Sequence, residues 1–307
     1  MTRAVLHVAQ AGPLVSIQDA GRPGWQRFGV PESGPMDRKA FARANAAAGN
    51  PPGAAGIEVS LGGLTLDCIE GTVSLAIAGG GFVVEGPQGK GGSWGIVTLR
   101  AGQRLSIRRG PWGAWCYVQP AGRLVTGAWL GSAATHAPSG LGGGLLASGQ
   151  DIVIDAPRTL PDRALTCPVT ARPRFRVGIV LGPQDRFFAP SAIETLLAVP
   201  YRLTDAYDRM GVRLHGPGIV PEEALSIPSE PILRGSIQVA GDGMPTVLLA
   251  DHQTTGGYPK IATIVSAHLD GFAQLRPHDP VRFHAVSPER AIELIRLRSI
   301  AAHPHPE

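Results

Sequence analysis

Short apolar or alternating runs recur along the whole chain, and turn residues punctuate them. Residues 14–18, 57–61, 73–78, 96–100, 104–107, 114–119 and 152–154 read as strands in the first half. Residues 175–181, 211–214, 236–239, 246–250, 261–266 and 281–283 read as strands in the second. Clusters of Gly, Pro and Asp separate them at the spacing of barrels and sandwiches. The segment 1–19 is strand-like as well. Three segments carry helical signals. Residues 36–48 are Ala-rich and stop at Gly49-Asn50-Pro51-Pro52. Residues 192–199 follow a capping box, Ser191 with Glu194 three positions on, and stop before Pro200. Residues 288–297 follow Ser287 as N-cap, with Pro288 at the first helical position. The pattern predicts a mainly β chain with a few short helices.

Echoes between the two halves suggest duplication. Gly12-Pro13 returns as Gly182-Pro183, and Met36-Asp37-Arg38 has a counterpart in Asp208-Arg209-Met210. Gly79-Gly80-Gly81 resembles Gly256-Gly257, and Leu99 with Leu105 and Ile107 resembles Leu275 with Val281 and Phe283. The offsets drift only from 170 to 177 residues, as small insertions would produce. The expected organisation is a domain over residues 1–170, a second over 171–290, and a helix end with a frayed tail over 291–307. The Pro-bearing stretch 166–173 falls where the linker belongs.

Composition sharpens this picture. A chain of 307 residues with 41 Gly and 28 Pro is too rich in turn formers for a helical bundle. Its length suits two domains and a core that needs no disulfide or metal staple. The net charge is +4, and the basic residues are scattered, with no run longer than Arg108-Arg109. A nucleic-acid binder would carry a clustered basic stripe. Three cysteines, Cys68, Cys116 and Cys167, with no CxxC, suit a reducing cytoplasm. No segment has the core of a signal peptide or the length of a membrane span. The expectation is a cytoplasmic protein with neither nucleic-acid nor membrane partner.

Several motifs fail on context. Gly91-Gly92-Ser93-Trp94-Gly95 spells the serine-hydrolase elbow, but a strand follows where a helix is required. Residues 86–91 resemble a phosphate loop, but the spacing is wrong and no helix follows. The run 140–144 reads as a flexible glycine loop. The nine His form no metal-ligand spacing, and His303 and His305 sit in the tail, so no metal site is expected.

Three polar concentrations stand out. Residues 251–260 leave one apolar strand and enter another, packing Asp251, Gln253, Thr254, Thr255, Gly256, Gly257, Tyr258 and Lys260 together. Adjacent glycines allow close backbone approach and consecutive N–H donors. Lys260 is one of only three lysines, with Lys39 and Lys90, which makes it a candidate catalytic cation beside Gln253 and Asp251. A second cluster holds Gln18, Asp19, Arg22, Ser33 and Asp37. The third holds Asp208 and Arg209, then Ser229, Glu230 and Gln238.

Together these segments resemble one family. S-I-Q-D-x-G-R-P-G-W, G-V-P-x-S-G-P-M-D, D-R-M-G-V-R-L-x-G-P, S-E-x-x-x-x-G-S-I-Q-V and L-L-A-D-x-Q-T-T-G-G-Y-P-K-I are similar to the KipA family. Its members are also called the C component of 5-oxoprolinase, allophanate hydrolase subunit 2 or biotin-dependent carboxyltransferase, and the family is similar to the carboxyltransferase domain of urea carboxylase. The resemblance spans residues 5–285. It implies two cyclophilin-like β-barrel domains, a KipI-like B component of cyclophilin-like fold, a LamB/YcsF-like A component, and a higher hetero-oligomer. His252 departs from the Arg usual in the family.

The resemblance implies a choice of activities on a small amide. As the C component of ATP-dependent 5-oxoprolinase, the chain acts with the A and B components to open 5-oxo-L-proline to L-glutamate, with ATP bound by the complex. As a carboxyltransferase, it moves a carboxyl group from carboxybiotin on a carrier in trans to urea or a similar amide. A third reading is a non-catalytic regulator of a KipI-like kinase inhibitor. The two chemistries need donors around an oxygen that gains negative charge, for which Lys260 and the N–H groups of Gly256 and Gly257 are candidates. They also need a polar clamp on the amide, for which Gln253, Thr254 and Gln238 are candidates. None of the three lysines has the Met-Lys-Met setting of a biotin carrier, which favours the 5-oxoprolinase reading.

Overall fold

The structure, a computed structural model, describes residues 2–222 and 226–302. His303, His305 and the tail expected around them lie outside the described residues. Two compact units form, one from the residues up to 26 together with 31–173, the other from 27–30 together with the chain from 174 onward. The chain is mainly β with few helices.

The first unit holds two antiparallel sheets. One runs in the order Arg123–Leu124, Asp151–Asp155, Arg3–Ala11, Leu64–Glu70, Arg104–Trp112, Gly81–Gly86 and Gly89–Gly92. The other runs Arg163–Ala164, Gly95–Arg100, Thr72–Ala78, Cys116–Pro120, Gly56–Val59 and Ser16–Gln18. Alternation along the strands sends Leu6, Leu66 and Ile107 of one sheet and Ile57, Leu75 and Val118 of the other into a shared core. The helix Arg38–Ala47 packs on the second sheet through Phe41, whose ring meets Tyr117 edge-on at 5.7 Å. It starts two residues later than the Ala-rich run predicts. Asp37 caps it, accepting the Ala40 N–H at 2.9 Å, and so stays outside the helix.

The serine of the apparent hydrolase elbow is a latch between hairpins. Ser93 is buried, donates to the Gly80 carbonyl at 2.9 Å and accepts the Phe82 N–H at 3.0 Å. The apparent phosphate loop is the turn of the hairpin in which Gly86 pairs with Gly89. The glycine run 140–144 is pinned rather than flexible: Gly143 N–H donates to the Ala133 carbonyl at 2.8 Å, and Gly144 N–H to Thr135 Oγ1 at 2.9 Å.

The second unit is a closed barrel. Its strands run Arg176–Leu181, Lys260–Ile264, Ser236–Val239, Pro245–Leu248, Gly211–His215, Tyr201–Tyr207 and Pro280–Ala285. The last pairs parallel with the first, from Arg176 opposite Arg282 to Ile179 opposite Ala285. The helix Ser266–Ala273 follows directly on a strand, where the apolar pattern reads as strand up to residue 266. Six of its eight residues are buried, so no polar face exists to betray its period. The helix Pro190–Ala198 starts from Pro190 with Ala189 as N-cap and no side-chain cap, so the Ser191–Glu194 capping box is not used. The helix Pro288–Ala302 does use Ser287, whose Oγ accepts the Arg290 N–H at 3.2 Å.

Of the echoes between halves, one keeps its structural place. Gly12-Pro13 follows the strand Arg3–Ala11, and Gly182-Pro183 follows Arg176–Leu181. The others do not. Asp37 caps a helix, whereas Asp208 makes a strand-to-strand turn. Gly79 and Gly80 have left-handed φ of 101° and 52°, whereas Gly256 lies in a short strand, Thr255–Gly256. Leu99 ends a strand, whereas Leu275 follows a helix. Shared turn chemistry accounts for these three.

Candidate active site

The loop between the strands Pro245–Leu248 and Lys260–Ile264 carries the first of the polar clusters singled out in the sequence, and the fold sorts its residues by role. Gln253 and Tyr258 line a cavity of about 670 Å³ on the barrel, with Gln238, Asp208, Met210 and Thr246 among its other walls. Gln253 Nε2 donates to Gln238 Oε1 at 3.3 Å, and Gln238 Nε2 points to the Tyr258 carbonyl at 3.5 Å. The two amides form a chain with further lone pairs and N–H groups to offer. Tyr258 is half exposed at the rim. Asp208 Oδ1 accepts the N–H groups of Met210 and Gly211 at 2.7 and 3.1 Å, an Asx turn that fixes this wall.

Asp251 and Arg209 face each other inside the protein. Both are buried, and the guanidinium meets the carboxylate through two bonds of 2.9 Å. Neither lines the cavity. Asp251 therefore anchors the start of the loop. His252 is buried beside it, with Nδ1 2.6 Å from the Gln253 carbonyl, so this nitrogen is turned to the backbone and not to an anion.

Thr254, Thr255, Gly256 and Gly257 form one side of a small two-stranded ladder. Pro231 pairs with Thr255 and Glu230 with Gly256, while Ile232 N–H donates to Thr254 O at 3.0 Å and Ile227 N–H to Gly257 O at 2.7 Å. The glycines serve close packing within the protein. A Cβ at Gly256 would stand 2.5 Å from Ile232 Cδ1 and 2.9 Å from Gln238 Nε2.

Lys260 is buried. Its N–H donates to Gln184 Oε1 at 3.0 Å, and its ammonium lies 3.3 Å from Glu230 Oε2. Sequence reasoning overlooked Gln184, and named Glu230 in the third polar cluster without linking it to Lys260. Both contacts span long stretches of chain, and nothing local marks them.

The second cluster sits in the first unit. Asp19 accepts from Gly21 N–H at 2.8 Å, Ser132 Oγ at 2.6 Å and Ala133 N–H at 2.6 Å. Arg22 donates to the Ala134 carbonyl and lies 5.4 Å from the Trp129 ring. Gln18 donates to Ser16 Oγ at 3.0 Å, and Ser33 is buried with φ 55°. Asp37 N–H donates to Tyr117 Oη at 2.7 Å, and Tyr117 Oη donates to Glu58 at 2.9 Å. Glu58, buried and also accepting the Met36 N–H at 2.7 Å, was missed. A carboxylate in an otherwise apolar strand was its only signal. Burial, with the Glu58 and Asp37 carboxylates, pushes the Tyr117 hydroxyl well above its ordinary range.

Among the described residues no group of three His, Cys, Asp or Glu could hold a metal ion, and no helix is long and apolar enough to cross a membrane.

Other proteins are similar to this chain in sequence and in fold. The family model for the carboxyltransferase domain, subdomain A and B, matches residues 28–285, and the chain belongs to that family. It is 30% identical to the C component of 5-oxoprolinase from Escherichia coli over 292 residues, covering 94% of each chain. It is 31% identical to the protein of the same name in Haemophilus influenzae, covering 93% of this chain and 92% of that one. The crystal structure of Kluyveromyces lactis urea carboxylase superposes with a TM-score of 0.87 at 26% identity, over 97% of this chain but only 29% of that one.

Proposed function

We propose that this chain is the C component of an ATP-dependent 5-oxoprolinase, working with a KipI-like B component and a LamB/YcsF-like A component to open 5-oxo-L-proline to L-glutamate. The observation that carries this reading is the end-to-end match to the Escherichia coli 5-oxoprolinase component, with 94% of both chains covered. The cavity of the barrel suits the substrate. A lactam offers one N–H and one carbonyl, and the Gln238–Gln253 pair supplies an acceptor and a donor at fixed spacing. ATP belongs to the complex in this reading. Residues 86–89 do not form a phosphate cradle: they turn a hairpin between two strands, with no helix N-terminus behind it.

A second reading, carboxyl transfer from carboxybiotin to a urea-like amide, draws on the superposition with urea carboxylase. The same cavity would hold the amide. Biotin would arrive on a separate carrier, since Lys39 lies on a helix, Lys90 in a glycine hairpin and Lys260 is buried on a barrel strand.

The test is reconstitution. Purified with the A and B components, the chain should support ATP-dependent release of glutamate from 5-oxoproline, and alone it should not. Gln253→Ala should raise KM about tenfold without loosening the complex. Turnover of urea with a biotin carboxylase and carrier, and none of 5-oxoproline, would replace this reading with the second.

A further inference from the structure

Two buried donors of the barrel converge on one oxygen that reaches them from a more exposed residue. Lys260 Nζ is 3.3 Å from Glu230 Oε2, and Gln184 Nε2 donates to the same oxygen. Lys260 and Gln184 are each 2% exposed, whereas the Glu230 side chain is 46% exposed. The carboxylate is thus the cover between a buried ammonium and solvent. Among the described residues it is the only acidic group within ion-pairing distance of that ammonium.

The contact is weaker than the site allows. Strong ammonium–carboxylate bonds measure ~2.7–2.9 Å, and an ammonium has three protons to place. A buried cation with one long contact has lost hydration that is only partly replaced. By contrast the donors themselves are held firmly. Gln184 and Lys260 lock each other through backbone, Gln184 N–H to Lys260 O at 3.1 Å and Lys260 N–H to Gln184 Oε1 at 3.0 Å. Glu230 comes from the small ladder outside the barrel, opposite Gly256, and a half-exposed side chain changes rotamer at little cost.

We propose that Lys260 and Gln184 form an oxyanion subsite, filled in this structure by the protein's own Glu230, which takes the carboxylate or phosphoryl group of a small ligand. Lys260 is the strand partner of Gln238, whose side chain lines the barrel cavity, so the subsite lies one strand from the proposed amide site. Only the ligand's relation to that amide rests on the function proposed above.

The chain has three lysines, so each ammonium can be followed by NMR in the full-length protein labelled at lysine. Inorganic phosphate, acetate and 5-oxoproline are titrated separately into wild type, Glu230→Ala and Glu230→Gln. Removing the internal competitor should tighten at least one of these anions about tenfold at the Lys260 signal, with Lys39 and Lys90 unmoved. Lys260→Met in the Glu230→Ala background should abolish the effect. Tightening of phosphate alone identifies a phosphoryl site; tightening of acetate and 5-oxoproline alone identifies a carboxylate site. No tightening in either Glu230 variant, or equal responses at all three lysines, overturns the proposal. The titration needs no partner protein, so its failure leaves the reconstitution assay as an independent test of function.

Discussion

Arg209 and Asp251 are held together three times over: two side-chain bonds of 2.9 Å, and a 2.7 Å bond from the Asp251 N–H to the Arg209 carbonyl. The residues are 42 positions apart, so the pair ties the turn at Asp208 to the start of the loop that carries Gln253. It sets the distance between two walls of the cavity.

Breaking one half of this pair takes the opposite charge away from a buried group. Asp251→Asn or Arg209→Met should each destabilise the protein by about 3–5 kcal/mol. The double change Arg209→Met with Asp251→Leu should cost less than the sum of the single changes. Urea unfolding measures all three. Unchanged midpoints in the single variants would show that the pair is dispensable.

Gly256 and Gly91 provide a matched comparison. Gly256→Ala forces a methyl against Ile232 and Gln238, and should cost about 1–3 kcal/mol while disturbing the Gln238–Gln253 pair. Nothing stands within 4 Å of a Cβ at Gly91, so Gly91→Ala should stay within about 0.5 kcal/mol. Thermal melts of the two variants side by side check the difference. Equal melting points would refute the packing argument.

The alkaline limb of stability should be steep. Burial pushes the Cys116 thiol far above its ordinary 9.0 and the Tyr201 hydroxyl to about 12, and Tyr117 is raised well above 10.0. In the unfolded chain these groups lose protons near their ordinary values; in the folded chain they keep them. Above about pH 9 the folded state therefore binds more protons than the unfolded, and stability falls as pH rises. Denaturant midpoints between pH 8 and 11 should decline, and Cys116→Ala should flatten the first part of the decline. A midpoint independent of pH over this window would contradict the burial of these groups.

Elements with signals at their own ends were legible in the sequence. Ser287 caps the helix it was expected to start, and the strands bounded by Gly and Pro lie close to where alternation puts them. The helix Ser266–Ala273 was not legible, because a helix buried on nearly every side has no polar stripe. The polar loop was visible by its density, but the roles within it were not. Asp251 was expected near the chemistry, and its ion-pair partner Arg209 lies 42 positions away on the neighbouring strand's approach, which no local pattern marks. Gln184 and Glu58 escaped notice for the same reason: their meaning resides in contacts to Lys260, 76 positions away, and to Tyr117, 59 positions away.

The parallel seam between Arg176–Leu181 and Pro280–Ala285 governs when this unit can be completed. On the ribosome the opening strand emerges first and its closing neighbour last. During synthesis of the intervening hundred or so residues, that edge presents unpaired backbone groups that could recruit a foreign strand. The chain places Arg174 and Arg176 at the edge's beginning, charges that discourage such pairing until the ring shuts.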